Sequence, residues 1–150
     1  MSNTDNEIVF RPALPLDWPK LSALLTAANL PVAGVQEHLD RFILAFRTDE
    51  LVGSAGLECY EQDGLLRSVA VAESLRGRKL GSALVAQVLA EANRNGLAQL
   101  VLLTGTAEAF FARFGFRPIA RSDAPETVKA SVEFQGVCPQ SAVTMLLELH

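Results

Sequence analysis

The stretch Leu65–Ser82, LLRSVAVAESLRGRKLGS, decides the fold of this 150-residue chain. Its first half is an apolar run typical of a buried strand, and its second half carries cations and glycines directly before a long helical pattern. The first turn of a helix presents unpaired backbone N–H groups and the positive end of the helix dipole. A strand, a glycine-containing loop and a helix N-terminus in this order predict an anion-binding site.

The loop in this stretch has the residue types that a diphosphate needs. Gly77 and Gly81 let an anion approach the backbone with no Cβ in the way. Three side chains add positive charge around it, namely Arg76, Arg78 and Lys79. The loop lacks the Gly-Lys-Ser/Thr of a Walker sequence and the glycine triplet of a Rossmann fingerprint. The residues alone are therefore also compatible with a basic loop that caps the helix and binds no anion.

Composition narrows the class of protein. Hydrophobic residues make up 49% of the chain and charged residues 20%, as in soluble globular proteins, and no apolar run approaches the ~20 residues that span a bilayer. The first ten residues, MSNTDNEIVF, lack the pattern of a secretory signal. The formal net charge of -4 disfavours general nucleic-acid binding. We expect one cytoplasmic domain over residues 1–150, with no nucleic-acid or membrane partner.

The two cysteines limit metal and redox chemistry. Cys59 and Cys138 are too few for a disulfide scaffold or a four-ligand zinc site, so we expect reduced thiols and no metal. Cys138 lies beside Pro139, where it could meet a trivalent arsenical, but two cysteines far apart in sequence make a poor soft-metal site.

Strand and helix patterns alternate along the rest of the chain. Strands are predicted at residues 8–12, 41–48, 51–60, 65–71, 99–104, 116–120 and 142–149. Helices are predicted at residues 18–28 with Asp17 as the cap, 77–95, 107–114 and 125–133. The turn pair Asp63-Gly64 predicts a hairpin. Mixed elements without repeats or linkers predict a single α/β (α+β) domain around a central sheet.

The loop resembles the acyl-CoA-binding motif of the GNAT superfamily of N-acetyltransferases, Arg/Gln-x-x-Gly-x-Gly/Ala after a hydrophobic strand. Arg76 and Gly81 match its ends. Lys79 replaces the usual glycine, and its backbone N–H can still donate if its φ is negative. The segment 104–116 resembles the strand, short helix and Gly-Phe ending found later in the same superfamily. The resemblance spans residues 8–149 and implies a mixed, mostly antiparallel sheet flanked by helices.

The resemblance implies that acetyl-CoA is the co-substrate. Its pantetheine arm would form hydrogen bonds to the backbone of the strand predicted at residues 65–71, as an added β-strand would. The N–H near Val71 would polarise the thioester carbonyl. Phe111 stands where many of these enzymes carry a tyrosine that protonates the departing thiolate, and Tyr60, the only tyrosine, is a weak substitute. The implied cofactor-binding residues are Val69, Ala70, Val71, Arg76, Gly77, Arg78, Lys79, Leu80, Gly81, Ser82 and Phe111.

Glu58 is the candidate base that deprotonates the acceptor amine. A two-residue turn at Asp63-Gly64 places Glu58 opposite Val69, close to where the thioester would sit. A cross-strand ion pair with Arg67 is the structural alternative for Glu58. Direct attack of the amine is favoured over a covalent acyl-enzyme, because neither cysteine has a histidine placed to activate it.

Three residues are candidates for binding the acceptor, which we expect to be a small-molecule amine. Arg67 matches a carboxylate or oxyanion bidentately, and Ser68 and Thr104 are expected beside it. The segment 122–142 would cover the acceptor side, and its exchange between two subunits would give a homodimer.

Within the superfamily, four segments resemble a subgroup of acetyltransferases associated with arsenic resistance: residues 56–58, 65–68, 106–111 and 136–142. Relatives of this kind acetylate arsenic- or phosphorus-containing glutamate analogues, so an analogue of this type is one acceptor that we expect. The alternative is a degenerate acyl-CoA-binding sensor or regulatory protein, which Lys79 and Phe111 favour. A third alternative is an enzyme that acetylates the N-termini of proteins.

Overall fold

The computed structural model describes residues 7–77, 79–136, 138–139 and 141–149. Arg78, one of the three predicted loop cations, lies outside the described residues. Within these ranges, no helix is both long enough and apolar enough to cross a membrane.

Strands and helices follow one another closely in the order that the sequence predicts. The strands are β1 (Ile8–Pro12), β2 (Phe42–Arg47), β3 (Glu50–Tyr60), β4 (Asp63–Val71), β5 (Gln99–Thr104), β6 (Arg117–Ile119) and β7 (Val143–Glu148). The α-helices are α1 (Trp18–Ala27), α2 (Leu80–Arg94) and α3 (Glu108–Ala112). Apolar residues recur every three or four positions along α2 and are buried there: Leu80, Leu84, Val85, Val88 and Ala92.

The strands form one seven-stranded sheet in the order β1-β2-β3-β4-β5-β7-β6. β1 with β2, β2 with β3, β5 with β7 and β6 with β7 pair antiparallel, whereas β4 and β5 pair parallel. The predicted mixed, mostly antiparallel sheet is thus confirmed. The apolar run of β5 is buried at Leu100, Val101 and Leu102, as expected for a strand that is covered on both faces.

The chain divides into two compact units. The first comprises the described part of Met1–Gly56 together with Ser68–Ala90. Its core gathers buried side chains of α1, β2 and β3 with Ala70 of β4, among them Leu21, Leu25, Phe42 and Leu44.

The predicted cap of α1 has a different partner in the structure. Asp17 directly precedes the helix, but its carboxylate makes no capping bond to it. Instead it accepts two hydrogen bonds from Arg11, at 2.7 and 2.8 Å, and one from the backbone N–H of Leu14 at 2.7 Å. A charged partner is the stronger donor, so Asp17 stabilises the entry to the helix rather than its first turn.

The second unit comprises Leu57–Arg67 and Glu91–His150, without the residues that lie outside the described ranges. One of its cores joins strand residues with the segment that follows β6: Leu65, Val101, Ala124, Val128 and Leu146. Tyr60, Ile119 and Phe134 pack against this core. One face of the strands is therefore covered by the residues between β6 and β7.

The predicted hairpin turn at Asp63-Gly64 is wrong. The turn lies two residues earlier, at Glu61-Gln62, where Glu61 takes a φ of +57°. Asp63 and Gly64 belong to β4 and pair with Gln99 and Leu100. A Cβ on Gly64 would lie 2.7 Å from Leu100, so this glycine serves close packing and not a turn.

The predicted helix at residues 125–133 is also wrong. The segment forms two single 3₁₀ turns, Val128–Ala130 and Val132–Phe134. Ser131 separates them with extended dihedral angles (φ -63°, ψ 143°), and its hydroxyl accepts the N–H of Glu133. A serine that bonds its local backbone in this way competes with helix formation.

Candidate active site

The loop between β4 and α2 is built on two left-handed residues. Gly77 has a φ of +83° and Lys79 a φ of +63°, and α2 begins at the next residue, Leu80. The negative φ that was the condition for donation by the N–H of Lys79 is not found, because the chain turns into α2 through a conformation that suits glycine. Lys79 therefore occupies the motif's glycine position with glycine's backbone geometry. We call Arg76, Gly77 and Lys79 the α2 loop.

The side chains of the α2 loop face solvent. Arg76, Gly77 and Lys79 are all exposed, and no atom lies within 4 Å of a Cβ built on Gly77. The Nε of Arg76 donates to the carbonyl of Val71 at 3.3 Å, which ties the loop to the end of β4. The loop thus combines accessible backbone with positive charge, as an anion site requires.

β4 contains an irregularity just before this loop. Ser68 takes a φ of +60°, and its carbonyl accepts the hydroxyl of Ser54 at 2.7 Å. Beyond it Val69 and Val71 are half-buried, while Ala70 packs in the first core. A left-handed residue interrupts regular strand geometry. Counting alternate residues from Arg67 therefore no longer gives the face of the sheet on which Val69 and Val71 lie.

β4 and β5 are paired over only part of their length. Their parallel ladder joins Asp63 with Gln99, Gly64 with Leu100 and Leu65 with Val101. β5 continues to Thr104, and along its whole length it pairs with β7 on its other side. The β4–β5 ladder therefore covers only the first three residues of β4.

A buried ionic cluster lies in the second unit. Nη1 of Arg67 donates to Oε2 of Glu58 at 2.8 Å, and its Nε lies 3.3 Å from Oε2 of Glu133. The three side chains are at most 5% exposed. The hydroxyl of Tyr60 donates to Oε1 of Glu58, and the thiol of Cys138 lies close enough to Glu133 to be affected by the charge of its carboxylate. We call these five residues the Arg67 cluster.

Burial sets the proton affinities in the Arg67 cluster. Loss of hydration raises the pKa of Glu133, although Arg67 opposes the rise, and the charge of Glu58 adds to it. Burial and the bond to Glu58 raise the pKa of Tyr60 as well, which makes its phenol a weaker acid. Tyr60 is therefore poorly suited to protonate a thiolate in this arrangement.

The Glu58–Arg67 ion pair, offered above as the structural alternative, is present. Glu58 is 1% exposed, and each of its carboxylate oxygens accepts a hydrogen bond within the cluster. A general base must reach the proton that it abstracts. In this conformation Glu58 holds Arg67, and the role of base stays a prediction.

Cys138 is not poised for thiolate chemistry. Its side chain is buried, and burial together with the carboxylate of Glu133 raises the pKa of the thiol to about 12. Thiolates, not thiols, attack electrophiles and bind soft metals. Among the described residues no group of three or more potential ligands of the His, Cys, Asp and Glu type could hold a metal ion.

Two further predicted site residues have local structural contacts. The hydroxyl of Thr104 accepts the N–H of Ala107 at 3.0 Å, ahead of α3. Phe111 is buried and makes edge-on ring contacts with Phe110, at 5.0 Å between centroids, and with Phe116, at 6.0 Å. Whether either residue also touches a ligand stays a prediction.

Sequence reasoning missed Glu133 as a partner of Arg67. The predicted helix at residues 125–133 contained Glu133 but did not specify which element its side chain would face. The serine two positions earlier was the available signal, because Ser131 can bond the backbone N–H of Glu133 and hold it in a turn. The buried hydroxyl of Thr144 was missed as well, and none of the described residues donates to it or accepts from it.

The fold agrees with that of solved GNAT acetyltransferases. The chain belongs to the GNAT acetyltransferase family, because the Acetyltransferase (GNAT) domain model matches residues 38–118, more than half of its length.

Relatives within this family include enzymes that are named for amino acids. An amino-acid acetyltransferase of Aeromonas salmonicida is 29% identical over 93 residues, which are 61% of this chain and 21% of that protein. The chain therefore spans about a fifth of the length of this relative.

Two solved structures share the fold. N-acetylglutamate synthase from Neisseria gonorrhoeae, complexed with coenzyme A and N-acetyl-glutamate, has a TM-score of 0.81 at 22% identity and covers 96% of this chain and 35% of that one. Rv2747 from Mycobacterium tuberculosis, in complex with CoA and NLQ, has a TM-score of 0.77 at 24% identity and covers 95% and 99%.

Proposed function

We propose that this chain is an acetyl-CoA-dependent N-acetyltransferase that acts on a small amine bearing an acidic group. The observation that carries the proposal is the α2 loop, in which two left-handed residues and two exposed cations precede a helix of 15 residues. Four or five charge-assisted bonds of about 1.5–3 kcal/mol each would anchor the diphosphate of the co-substrate. In this proposal residues 1–150 form one acetyltransferase domain.

The acetyl donor would bind along the α2 loop and β4. Arg76 and Lys79 supply charge, and Gly77, Leu80, Gly81 and Ser82 supply backbone at the start of α2. The backbone of Val69, Ala70 and Val71 would bond the pantetheine arm, and the N–H near Val71 would polarise the thioester carbonyl. Thiolate departure costs only about 2 kcal/mol at pH 7 for a thiol with a pKa near 8.5, so water suffices as its proton source.

The acceptor that we propose is an amino acid. Relatives named as amino-acid acetyltransferases support this class, and Arg67 supplies a guanidinium that suits a carboxylate. An arsenic- or phosphorus-containing glutamate analogue is a narrower candidate, resting on the resemblance of residues 56–58 and 136–142. Ser68, Thr104 and Glu58 as the base complete the proposed acceptor residues.

The test begins with calorimetric titration of CoA and continues with thiol release from acetyl-CoA over a panel of amino acids and glutamate analogues. Arg76→Ala should weaken CoA binding about tenfold, which corresponds to one charge-assisted bond. Arg94→Ala is the matched control, because Arg94 is an exposed cation at the other end of α2. Equal CoA affinity in both variants would remove the α2 loop from the proposal.

A second candidate function is an acyl-CoA sensor without catalysis. The burial of Glu58 inside an ion pair favours it, because no other base has been assigned. CoA binding with no turnover on any amine would select this reading. A homodimer and a cytoplasmic location belong to the proposal too, and sedimentation velocity and cell fractionation would test them.

A further inference from the structure

Two carboxylates share the buried guanidinium of Arg67, and they hold it unequally. The Glu58 contact at 2.8 Å falls in the range of strong charge-assisted hydrogen bonds. The contact between Nε of Arg67 and Glu133 is 3.3 Å long, beyond the usual range for such bonds. Glu133 is therefore the weaker partner.

The two carboxylates also differ in how firmly the backbone holds them. Glu58 lies in an 11-residue strand. Glu133 lies in a single 3₁₀ turn of three residues, closed by the bond from the N–H of Phe134 to the carbonyl of Ser131 and by the serine cap. An isolated turn opens at a lower free energy than a strand within a sheet, so Glu133 is the carboxylate that can withdraw.

Charge balance gives Glu133 a reason to withdraw. With both acids ionised, two carboxylates face the guanidinium of Arg67, and the thiol of Cys138 and the phenol of Tyr60 are neutral. The guanidinium of Arg121 also approaches this turn, where it donates to the backbone carbonyl of Glu133 at 3.4 Å. The excess negative charge is buried, which is costly unless it is neutralised or moved to water. A further anion can therefore approach Arg67 only when Glu133 is protonated or has left.

We propose that Glu133 is an internal competitor for the acidic group of the acceptor. In the bound state a carboxylate of the acceptor takes the place of Glu133 at Nε of Arg67, while Glu58 keeps Nη1. A neutral amine would expose Nε of Arg67 without replacing its partner, so Glu133 selects for acidic acceptors. The inference rests on the proposed function for its acceptor class, and it makes Glu133 a specificity-determining residue.

The direct test is binding of glutarate, a dicarboxylate without an amine, measured by calorimetry. Glu133→Gln removes the competing charge and keeps the side-chain shape, so glutarate should bind about tenfold more tightly. Glu133→Asp keeps the charge but shortens the side chain, which lengthens a contact that is already long, and it should give a smaller gain. Glu126→Gln is the matched control, because Glu126 is 88% exposed in the same segment and carries the same charge.

Steady-state kinetics with two acceptors provide a second test. Glu133→Gln removes the penalty that a neutral acceptor pays, so the ratio of the KM for glutamine to the KM for glutamate should fall about tenfold. The ratio should stay constant in Glu126→Gln, with kcat changed less than KM. Unchanged or weaker glutarate binding in both Glu133 variants would overturn the inference, and so would the absence of glutarate binding in all proteins. Tighter glutarate binding without any acetyl transfer would keep the inference and reject the proposed function.

Discussion

The α2 loop and the Arg67 cluster both contain cations that we propose to bind anionic ligands, but they keep these cations in opposite environments. Arg76 and Lys79 are exposed, and the loop depends on backbone conformation at Gly77 and Lys79. Arg67 is fully buried, and its position depends on side chains of β3 and of the segment after β6. Water screens the loop cations, whereas the low dielectric around Arg67 strengthens each of its interactions.

Because of this difference, substitutions in the two regions should affect the free energy of unfolding to different degrees. A surface cation contributes little to folding, so the α2 loop can change with small effects on the free energy of unfolding. A buried ion pair that loses one member leaves an uncompensated charge. A change in the Arg67 cluster should therefore alter the stability of the fold together with the proposed recognition of the acceptor.

Replacing the central cation of each region should give the largest contrast. Arg67→Met leaves two buried carboxylates without their partner and should lower the free energy of unfolding by about 3–5 kcal/mol. Arg76→Met should change it by less than about 0.5 kcal/mol. Urea unfolding followed by circular dichroism measures both. If the two variants were equally stable, the Arg67 cluster would contribute no more than the exposed loop.

A rescue variant controls for lost packing. Glu58→Gln and Glu133→Gln combined with Arg67→Met remove the unpaired charges and should recover part of the stability. No recovery would assign the loss to the shape of the arginine and not to its charge.

The pH dependence of stability should contrast Glu133 with Asp17. Burial raises the pKa of Glu133 above its ordinary value of 4.5, so the folded state holds a proton that the unfolded state releases. Stability from this group is full below pH 4.5 and is lost as the pH rises through the raised pKa. The Arg11 bond lowers the pKa of Asp17 below 3.8, so its contribution is present above pH 3.8 and is lost as the pH falls.

Thermal unfolding between pH 3 and pH 8 would measure the two slopes. Glu133→Gln should remove the decline on raising the pH, and Asp17→Asn should remove the decline on lowering it. A stability profile that Glu133→Gln leaves unchanged would mean that folding does not shift the pKa of Glu133.

The α2 loop was predictable because its signal is contiguous. A strand, glycines and cations within Leu65–Ser82 define it, and the family match at residues 38–118 agrees. The sheet was predictable for a similar reason, since each strand carries its own apolar pattern. The backbone conformation of Lys79 was not predictable, because its left-handed φ depends on how the chain enters α2.

The Arg67 cluster was half predictable. Glu58 and Arg67 lie on the neighbouring strands β3 and β4. Their ion pair forms although the turn was predicted two residues too late, because the two side chains contact each other across the hairpin. Glu133 lies far beyond Arg67 in the sequence, and no periodic pattern connects them. Its contact depends on the 3₁₀ turns after β6, which helix propensity does not encode.

The smallest expected effect concerns the backbone of the α2 loop. Lys79→Gly removes a left-handed strain that costs a non-glycine residue about 1 kcal/mol, partly offset by the greater freedom of glycine in the unfolded chain. We expect a net stabilisation of about 0.5 kcal/mol together with weaker CoA binding, because the ammonium group is lost.

Asn29→Gly is the matched control for the strain. Asn29 has a φ of +60°, but asparagine tolerates this conformation, so the gain in stability should be close to zero and CoA binding should not change. Urea unfolding and CoA calorimetry on both variants would separate the two effects. Equal stabilisation in the two variants would show that lysine bears no more strain in the α2 loop than asparagine does after α1. Lys79 would then be kept there without a conformational cost, and its charge alone would account for its place in the loop.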